Sequence, residues 1–122
     1  MRLAQSQVDA YRRDGVLRVE GALNDTDLQA VIDELTRVVD EKAQALHEAG
    51  ELEQLHEDAP FETRIGLLYG QNPKITHGVD IMHYRGEAIF RFLRNDNLLD
   101  VIEGLLGPEL TCNPIQHVRA RA

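Results

Sequence analysis

The stretch that decides the fold runs from Asn24 to Gly50 and reads NDTDLQAVIDELTRVVDEKAQALHEAG. Its apolar residues recur at spacings of three and four, which predicts one long amphipathic helix with a single apolar face. Those residues are Leu28, Val31, Ile32, Leu35, Val38, Val39 and Leu46. Asn24 or Asp25 can cap the first turn, Asp25 and Asp27 suit the positive end of the helix dipole, and Gly50 can end the helix.

Before and after this helix the sequence predicts shorter helices and strands. A short helix that Ser6 can cap ends at Gly15, and the β-branched run Val16–Val19 predicts a strand. A second strand is predicted at Ile65–Tyr69, before a turn at Gly70–Pro73.

The last third of the chain predicts two more helices and an extended end. The first helix covers residues 86–94. Asp96 or Asn97 can cap the second, which stops at Gly107, in the usual order of glycine followed by proline. From Glu109 onward the chain looks extended.

We expect the 122 residues to form a single partial domain. Its parts are a helix–strand–long-helix region (1–50), an acidic loop and irregular region (51–85), a pair of helices (86–108) and a strand (109–122). Because no closing element follows that strand, we expect the chain to be a fragment of a larger protein.

Composition narrows the possible partners and locations. Lys and Arg total 13 against 21 Asp and Glu, a formal net charge of -8, so we expect no nucleic-acid partner. No apolar run approaches the roughly 20 residues of a membrane span, and no signal peptide is evident, so we expect a cytoplasmic protein without membrane contact. Cys112 is predicted to be a small buried residue.

The motif His56-Glu57-Asp58 has the His-x-Asp form that can place two iron ligands on one strand. With a further histidine such as His117, two histidines and one carboxylate suit Fe(II), because they leave positions open for substrate and oxygen. The motif follows a helix in an acidic loop, however, and so short a match arises easily by chance. We favour a solvated loop, and metal binding by His56 and Asp58 stays open.

A second histidine-bearing stretch contains His77, Asp80 and His83. Asp80 and His83 could chelate a metal on a helical turn, since residues three apart share a face. Gly78 and the missing apolar period argue against a helix there. A substrate-facing loop and an ordinary surface loop remain as alternatives.

Polar residues also punctuate the extended end: Gln116, His117, Arg119 and Arg121. Arg119 and Arg121 would point to the same side of a strand and could together bind a carboxylate or phosphate. The alternative is a polar strand face that pairs with the acidic loop.

Four segments resemble, in this order, the N-terminal region of the phytanoyl-CoA dioxygenase family. Residues 11–19 are similar to the family's opening, a helix that runs into a strand, and residues 21–35 to the start of its long helix. Residues 98–110 are similar to its l-l-x-x-v-x-x-l-l-G-p-d-l segment, and residues 113–121 to the strand before its iron motif. The resemblance is weak over residues 50–86.

The resemblance implies a non-haem oxygenase that uses Fe(II), O₂ and 2-oxoglutarate to hydroxylate a small organic substrate. The family's His-x-Asp, distal His and 2-oxoglutarate-binding Arg all follow the matching segments, so neither His56 nor His117 is assigned to the metal. Arg121 stands where many members have Lys followed by Pro, which puts a cosubstrate role there in doubt. We expect this chain alone to hold no iron or 2-oxoglutarate and to be inactive.

The resemblance also implies an α+β fold, a helical N-terminal layer with a few strands that forms the incomplete front of a jelly roll. Gln116, His117 and Arg119 would contact substrate or 2-oxoglutarate. An apolar stripe without its sheet would be exposed, which favours a homo-oligomer. The rival hypothesis is a small acidic helical interaction module without catalysis.

Overall fold

The structure is a computed structural model that describes residues 2–80, 83–113, 115 and 117. Within those residues the chain forms five α-helices, and a short 3₁₀ turn (Pro73–Thr76) follows the third of them. The helices are α1 (Gln5–Asp14), α2 (Asp25–Glu48), α3 (Phe61–Gln71), α4 (Glu87–Phe92) and α5 (Asp96–Leu106). None of the helices in this part of the chain is long and apolar enough to cross a membrane.

The expected α+β fold is wrong, because the described residues contain helices and no strand. Residues 16–19 form no regular element, and Val16 is 71% exposed. A strand needs a neighbouring strand to receive its backbone hydrogen bonds, and the described chain offers none. The expected front of a jelly roll is therefore missing from these residues.

The predicted strand at Ile65–Tyr69 is part of helix α3. Ile65, Leu68 and Tyr69 pack on the core, and their spacing of three and four is that of a helix face. Leu67 points away and is 46% exposed. A short apolar run fits a buried strand and a helix equally well, so only packing could decide.

The predicted strand over residues 109–122 is also wrong where it can be examined. Residues 109–113, Ile115 and His117 have no regular secondary structure. Pro114, Gln116 and residues 118–122 lie outside the described residues. Cys112, predicted to be buried, is exposed.

The chain divides into two compact units. The first unit contains the described residues of 1–30 and 87–113, and the second contains those of 31–86 and 114–122. Helix α2 starts in the first unit and continues in the second. The expectation of one partial domain stays a prediction.

The core of the second unit joins three helical elements and a loop. Helix α2 supplies Val39 and Ala43, the following loop supplies Leu52, α3 supplies Leu68 and the 3₁₀ turn supplies Ile75, all of them buried. Leu46, Leu55, Ile65 and Tyr69 pack against this cluster. The loop at 51–60, expected to be solvated, thus carries one buried core residue, Leu52, which belongs to the same cluster as the residues of α2 and α3.

The first unit depends on helix ends as much as on burial. Helix α1 contacts α5 and buries Val8. It ends as predicted at Gly15, whose φ of 72° is in the left-handed region that glycine tolerates. Its start differs from the prediction, since Ala4 and not Ser6 is the capping position, and the Gln7 side chain accepts the Ala4 N–H at 2.8 Å.

Helix α2 begins with Asn24, one of the two caps that the sequence predicts. The Asn24 side-chain oxygen accepts the Asp27 N–H at 2.9 Å, and the Asp27 carboxylate accepts the Asn24 N–H at 2.9 Å. This reciprocal pair is a capping box with Asn and Asp in the two roles.

The same carboxylate reaches the start of helix α5. Asn95 and Asn97 donate their side-chain amides to Asp27 at 2.8 and 2.9 Å. Asn95 itself caps α5, since its side-chain oxygen accepts the Leu98 N–H at 2.9 Å. Asp27 thus joins the beginnings of two helices, and the cap of α5 lies one residue before the predicted position.

Hydrogen bonds hold the pKa of Asp27 below its ordinary value, first the one from the Asn24 N–H and then those from Asn95 and Asn97. A group with a lowered folded pKa stabilises the fold above its unfolded pKa, and that contribution is lost as pH falls through the folded value. We expect Asp27→Asn to be less stable than wild type at pH 7. The difference should shrink between about pH 5 and pH 2, as urea unfolding at a series of pH values would measure.

Asp25→Asn is the matched control, because Asp25 carries the same charge on the same helix turn. It should lose little stability and leave the pH dependence as in wild type. An Asp27→Asn curve parallel to that of wild type at every pH would contradict the assignment.

Candidate functional site

A cavity of about 230 Å³ lies in the second unit, and its walls are mostly apolar. Helix α2, residues 57–59, the first turns of α3 and Val79 surround it. The lining residues are Leu35, Thr36, Val39, Glu57, Ala59, Phe61, Glu62, Arg64, Ile65 and Val79. Such a concave, mostly apolar space with a few polar groups is the usual form of a small-molecule site.

Helical spacing explains why these side chains meet. Leu35 and Val39 are four residues apart on α2, and Phe61 and Ile65 are four apart on α3, so each pair lies on one face of its helix. Val79 is fully buried. Phe61 is 37% exposed, which leaves the cavity accessible from solvent on its side.

Arg64 is the buried charge of the site, with 8% of its surface exposed. Its Nε and Nη2 donate to the Leu55 carbonyl at 3.2 and 3.1 Å, and its Nη1 donates to the Asp40 carboxylate. The guanidinium therefore ties α3 to α2 and to the loop between them. Its positive charge is neutralised by a partner outside the cavity lining.

Removing the Asp40 charge should destabilise the protein, because it leaves the Arg64 cation buried without its ion pair. Breaking a buried pair costs 3–5 kcal/mol, and Asp40 is 47% exposed, so we expect Asp40→Asn to cost about 2 kcal/mol. Urea unfolding at neutral pH would measure the loss.

Glu41→Gln is the control for that experiment. Glu41 follows Asp40 on α2 and forms an ion pair with Arg37, four residues before it. Both side chains of this pair are more than half exposed. An exposed pair at this spacing contributes about 0.3–0.5 kcal/mol. Equal losses in the two variants would refute the structural role given to Arg64.

The turn beside the cavity holds a residue in a backbone conformation that is unusual for it. His56 has a φ of 47°, and it is the one residue other than glycine with positive φ in the described part of the chain. Its carbonyl accepts the Ala59 N–H at 3.1 Å, which closes the turn that carries Glu57 and Ala59 to the cavity. Strained residues of this kind cluster at functional sites.

His56 should therefore tolerate glycine and reject a β-branched residue. The left-handed region costs an L-residue about 1–2 kcal/mol, so we expect His56→Gly to be as stable as wild type or slightly more stable, and His56→Val to be clearly less stable. Thermal unfolding of the three proteins would rank them. Equal stability of the glycine and valine variants would show that the turn is not constrained.

The His-x-Asp motif is thus part of a tight turn and not of a strand. His56 is half-buried and Asp58 is exposed. Among the residues that the structure describes, no three His, Cys, Asp or Glu side chains form a group that could hold a metal ion.

In the second histidine-bearing stretch, two of the three residues, Asp80 and His83, are in contact. His83 Nδ1 lies 2.9 Å from the Asp80 carboxylate, and the backbone N–H groups of His83 and Tyr84 donate to the Asp80 carbonyl at 3.0 and 2.8 Å. His77 lies exposed at the end of the 3₁₀ turn. The substrate-loop role of His77, Asp80 and His83 stays a prediction.

The sequence did not predict the contact between Arg37 and Tyr84. Arg37 donates to the Tyr84 hydroxyl at 2.9 Å, across 47 residues of sequence. The ion pair with Glu41, followed by Tyr84, raises the pKa of Arg37. Gly86 lies so close that a Cβ there would come within 1.9 Å of Glu34 and 2.6 Å of the Tyr84 ring, so only glycine fits without rearrangement.

The three residues predicted to contact substrate or 2-oxoglutarate are only partly described. His117 is exposed and lies outside regular structure. Gln116 and Arg119 lie outside the described residues, as does Arg121. Their predicted role stays a prediction.

A scan against protein-family models, a search of curated proteins and a search of solved structures each found no match for this chain. The resemblance to the phytanoyl-CoA dioxygenase family therefore rests on the sequence segments alone.

Proposed function

We propose that this chain is the N-terminal helical part of a phytanoyl-CoA dioxygenase-like oxygenase that hydroxylates a small organic substrate with O₂ and 2-oxoglutarate. The observation that carries the proposal is the order of four segments, residues 11–19, 21–35, 98–110 and 113–121, each similar to the matching part of the family. A single segment of this kind would be weak support for the family. Four segments in the family's order are stronger support.

The helices are compatible with this proposal. Helix α2 starts within the second segment, and α5 covers most of the third and ends before Gly107 and Pro108. A helical layer is what the resemblance assigns to this region. The strands that it also implied are not part of the proposal for the described residues.

The described residues do not fit the family's iron site, since they offer no group of three metal ligands. No step of the reaction is therefore assigned to a metal on these residues. In the proposal, Fe(II) and 2-oxoglutarate belong to residues that follow the four segments in the family. This chain would contribute Gln116, His117 and Arg119 to substrate or cosubstrate binding, and the loop with His77, Asp80 and His83 to the substrate side.

The first experiment is to read the coding DNA past the codon for Ala122 and to express the complete gene product. We expect a His-x-Asp soon after Arg121, then a distant His and Arg. The complete protein should bind Fe(II) with 2-oxoglutarate under anaerobic conditions and release succinate in air. A stop codon directly after Ala122 would overturn the proposal.

The 122-residue chain is the matched control and should bind neither Fe(II) nor 2-oxoglutarate by itself. Tight binding by this chain would contradict the proposal. Its loss in His56→Ala would then assign the metal to the His56-x-Asp58 turn.

A residue of this chain can be tested in the same complete protein. Arg119→Ala should raise KM for 2-oxoglutarate or for the substrate by about tenfold, the effect of one lost charge-assisted hydrogen bond, with a smaller change in kcat. Arg12→Ala, an exposed position on α1, should leave both constants unchanged. An unchanged KM in Arg119→Ala would remove that residue from the proposed site.

The second candidate function is an acidic helical interaction module, and exposed apolar side chains of the first unit favour it. Phe90 is 61% exposed and Leu106 is 67% exposed. If these residues mediate self-association, the Tm of the 122-residue chain should rise with protein concentration. Phe90→Glu should abolish that dependence, and Leu67→Glu in the second unit should not.

A further inference from the structure

The cavity of the second unit is large enough to hold a ligand by itself. Its volume is about 230 Å³, and an apolar cavity of about 150 Å³ already binds a benzene-sized molecule. Leu35, Val39, Phe61, Ile65 and Val79 supply apolar walls from two helices and a loop. A cavity of this volume has room for an aliphatic or arylalkyl group of roughly six to eight carbons.

The charges of the lining select the kind of ligand. Glu57 and Glu62 carry two carboxylates among the lining residues, and both residues are exposed. Arg64 is the one cation of the lining, and its charge is neutralised by Asp40 while two of its nitrogens bind the Leu55 carbonyl. What remains is negative, so a cationic group is attracted and an anionic one repelled.

The turn that presents one of these carboxylates is held in a costly conformation. His56 precedes Glu57 and has left-handed backbone geometry, which persists only where the surrounding structure imposes it. The backbone of Glu57 lies between this residue and Ala59, inside the turn closed by the Ala59 N–H on the His56 carbonyl.

We propose that this cavity binds a small organic cation, an alkyl- or arylalkylammonium, with its apolar part between α2 and α3 and its charged end beside Glu57 and Glu62. This binding does not rest on the oxygenase proposal, because it is argued from the cavity and from the charges that line it and not from the resemblance.

The test compares hexylammonium with hexanoate, which have the same chain length and opposite charge. Each is titrated into the ¹⁵N-labelled 122-residue chain, and amide shifts report the site. We expect hexylammonium to shift amides of the lining residues and to bind at least about fivefold tighter than hexanoate, the factor for about 1 kcal/mol from exposed ion pairs.

Two variants separate the charge from the cavity. Glu57→Gln with Glu62→Gln should make the two ligands bind equally, and Ala59→Leu, which fills the cavity from the loop, should weaken both. Glu48→Gln with Glu53→Gln is the control, since it removes two exposed charges that do not line the cavity. It should leave the preference unchanged.

Three results would overturn the proposal. The first is that neither ligand shifts the amides of the lining residues at millimolar concentration. The second is that hexanoate binds as tightly as hexylammonium to the wild type. The third is that the control variant loses the preference as fully as the Glu57 and Glu62 variant does, which would reduce the effect to the net charge of the chain.

Discussion

The second unit depends on how it accommodates the charge of Arg64. A buried guanidinium is tolerated only when its charge is paired and its donors are hydrogen-bonded. Here the Asp40 carboxylate and the Leu55 carbonyl meet both needs. Because these partners belong to α2 and to the loop before α3, they are in place only when all three segments have assembled. The cavity wall that Arg64 forms is therefore a product of assembly and not of any one helix.

In the first unit the corresponding charged group is a carboxylate, that of Asp27, and it too is held by several hydrogen bonds. Val8 is the unit's one buried apolar side chain among the described residues, so burial alone defines its arrangement weakly. The Asp27 carboxylate meets the N–H of Asn24 and the amides of Asn95 and Asn97. Hydrogen bonds are directional, whereas apolar contacts are not. The polar contacts of Asp27 thus specify which helix ends meet in the first unit more sharply than the apolar contacts do. Those of Arg64 do the same for α2, α3 and the intervening loop in the second unit.

The sequence identified one part of the candidate site, the turn at His56, and missed another, the buried Arg64. The motif at His56 was singled out as a possible metal site, and metal binding there stays a prediction. What the structure adds is the positive φ of His56 and a place for Glu57 in the cavity wall. Arg64 was missed because residues 61–69 were interpreted around a strand. On a helix Arg64 and Leu68 share a face, so the arginine is carried inward with the leucine. The signal available in the sequence was an arginine directly before an apolar run, together with Asp40 directly after Val39 of the apolar stripe of α2.

The sequence by itself determined α2, a cap at Asn24 or Asp25, the ends of α1 and α5 at Gly15 and Gly107, and the acidic charge. Each of these follows from contacts within a few residues: helical periodicity, caps and glycine backbone freedom. Only the tertiary structure decided that residues 65–69 are helical and that Arg64, Asp40 and Leu55 come together. It also decided that Val16–Val19 meets no strand among the described residues. A short apolar run adopts the structure that buries it best, and a strand exists only beside another strand. Both conditions lie in residues distant in sequence, so no local pattern could fix them.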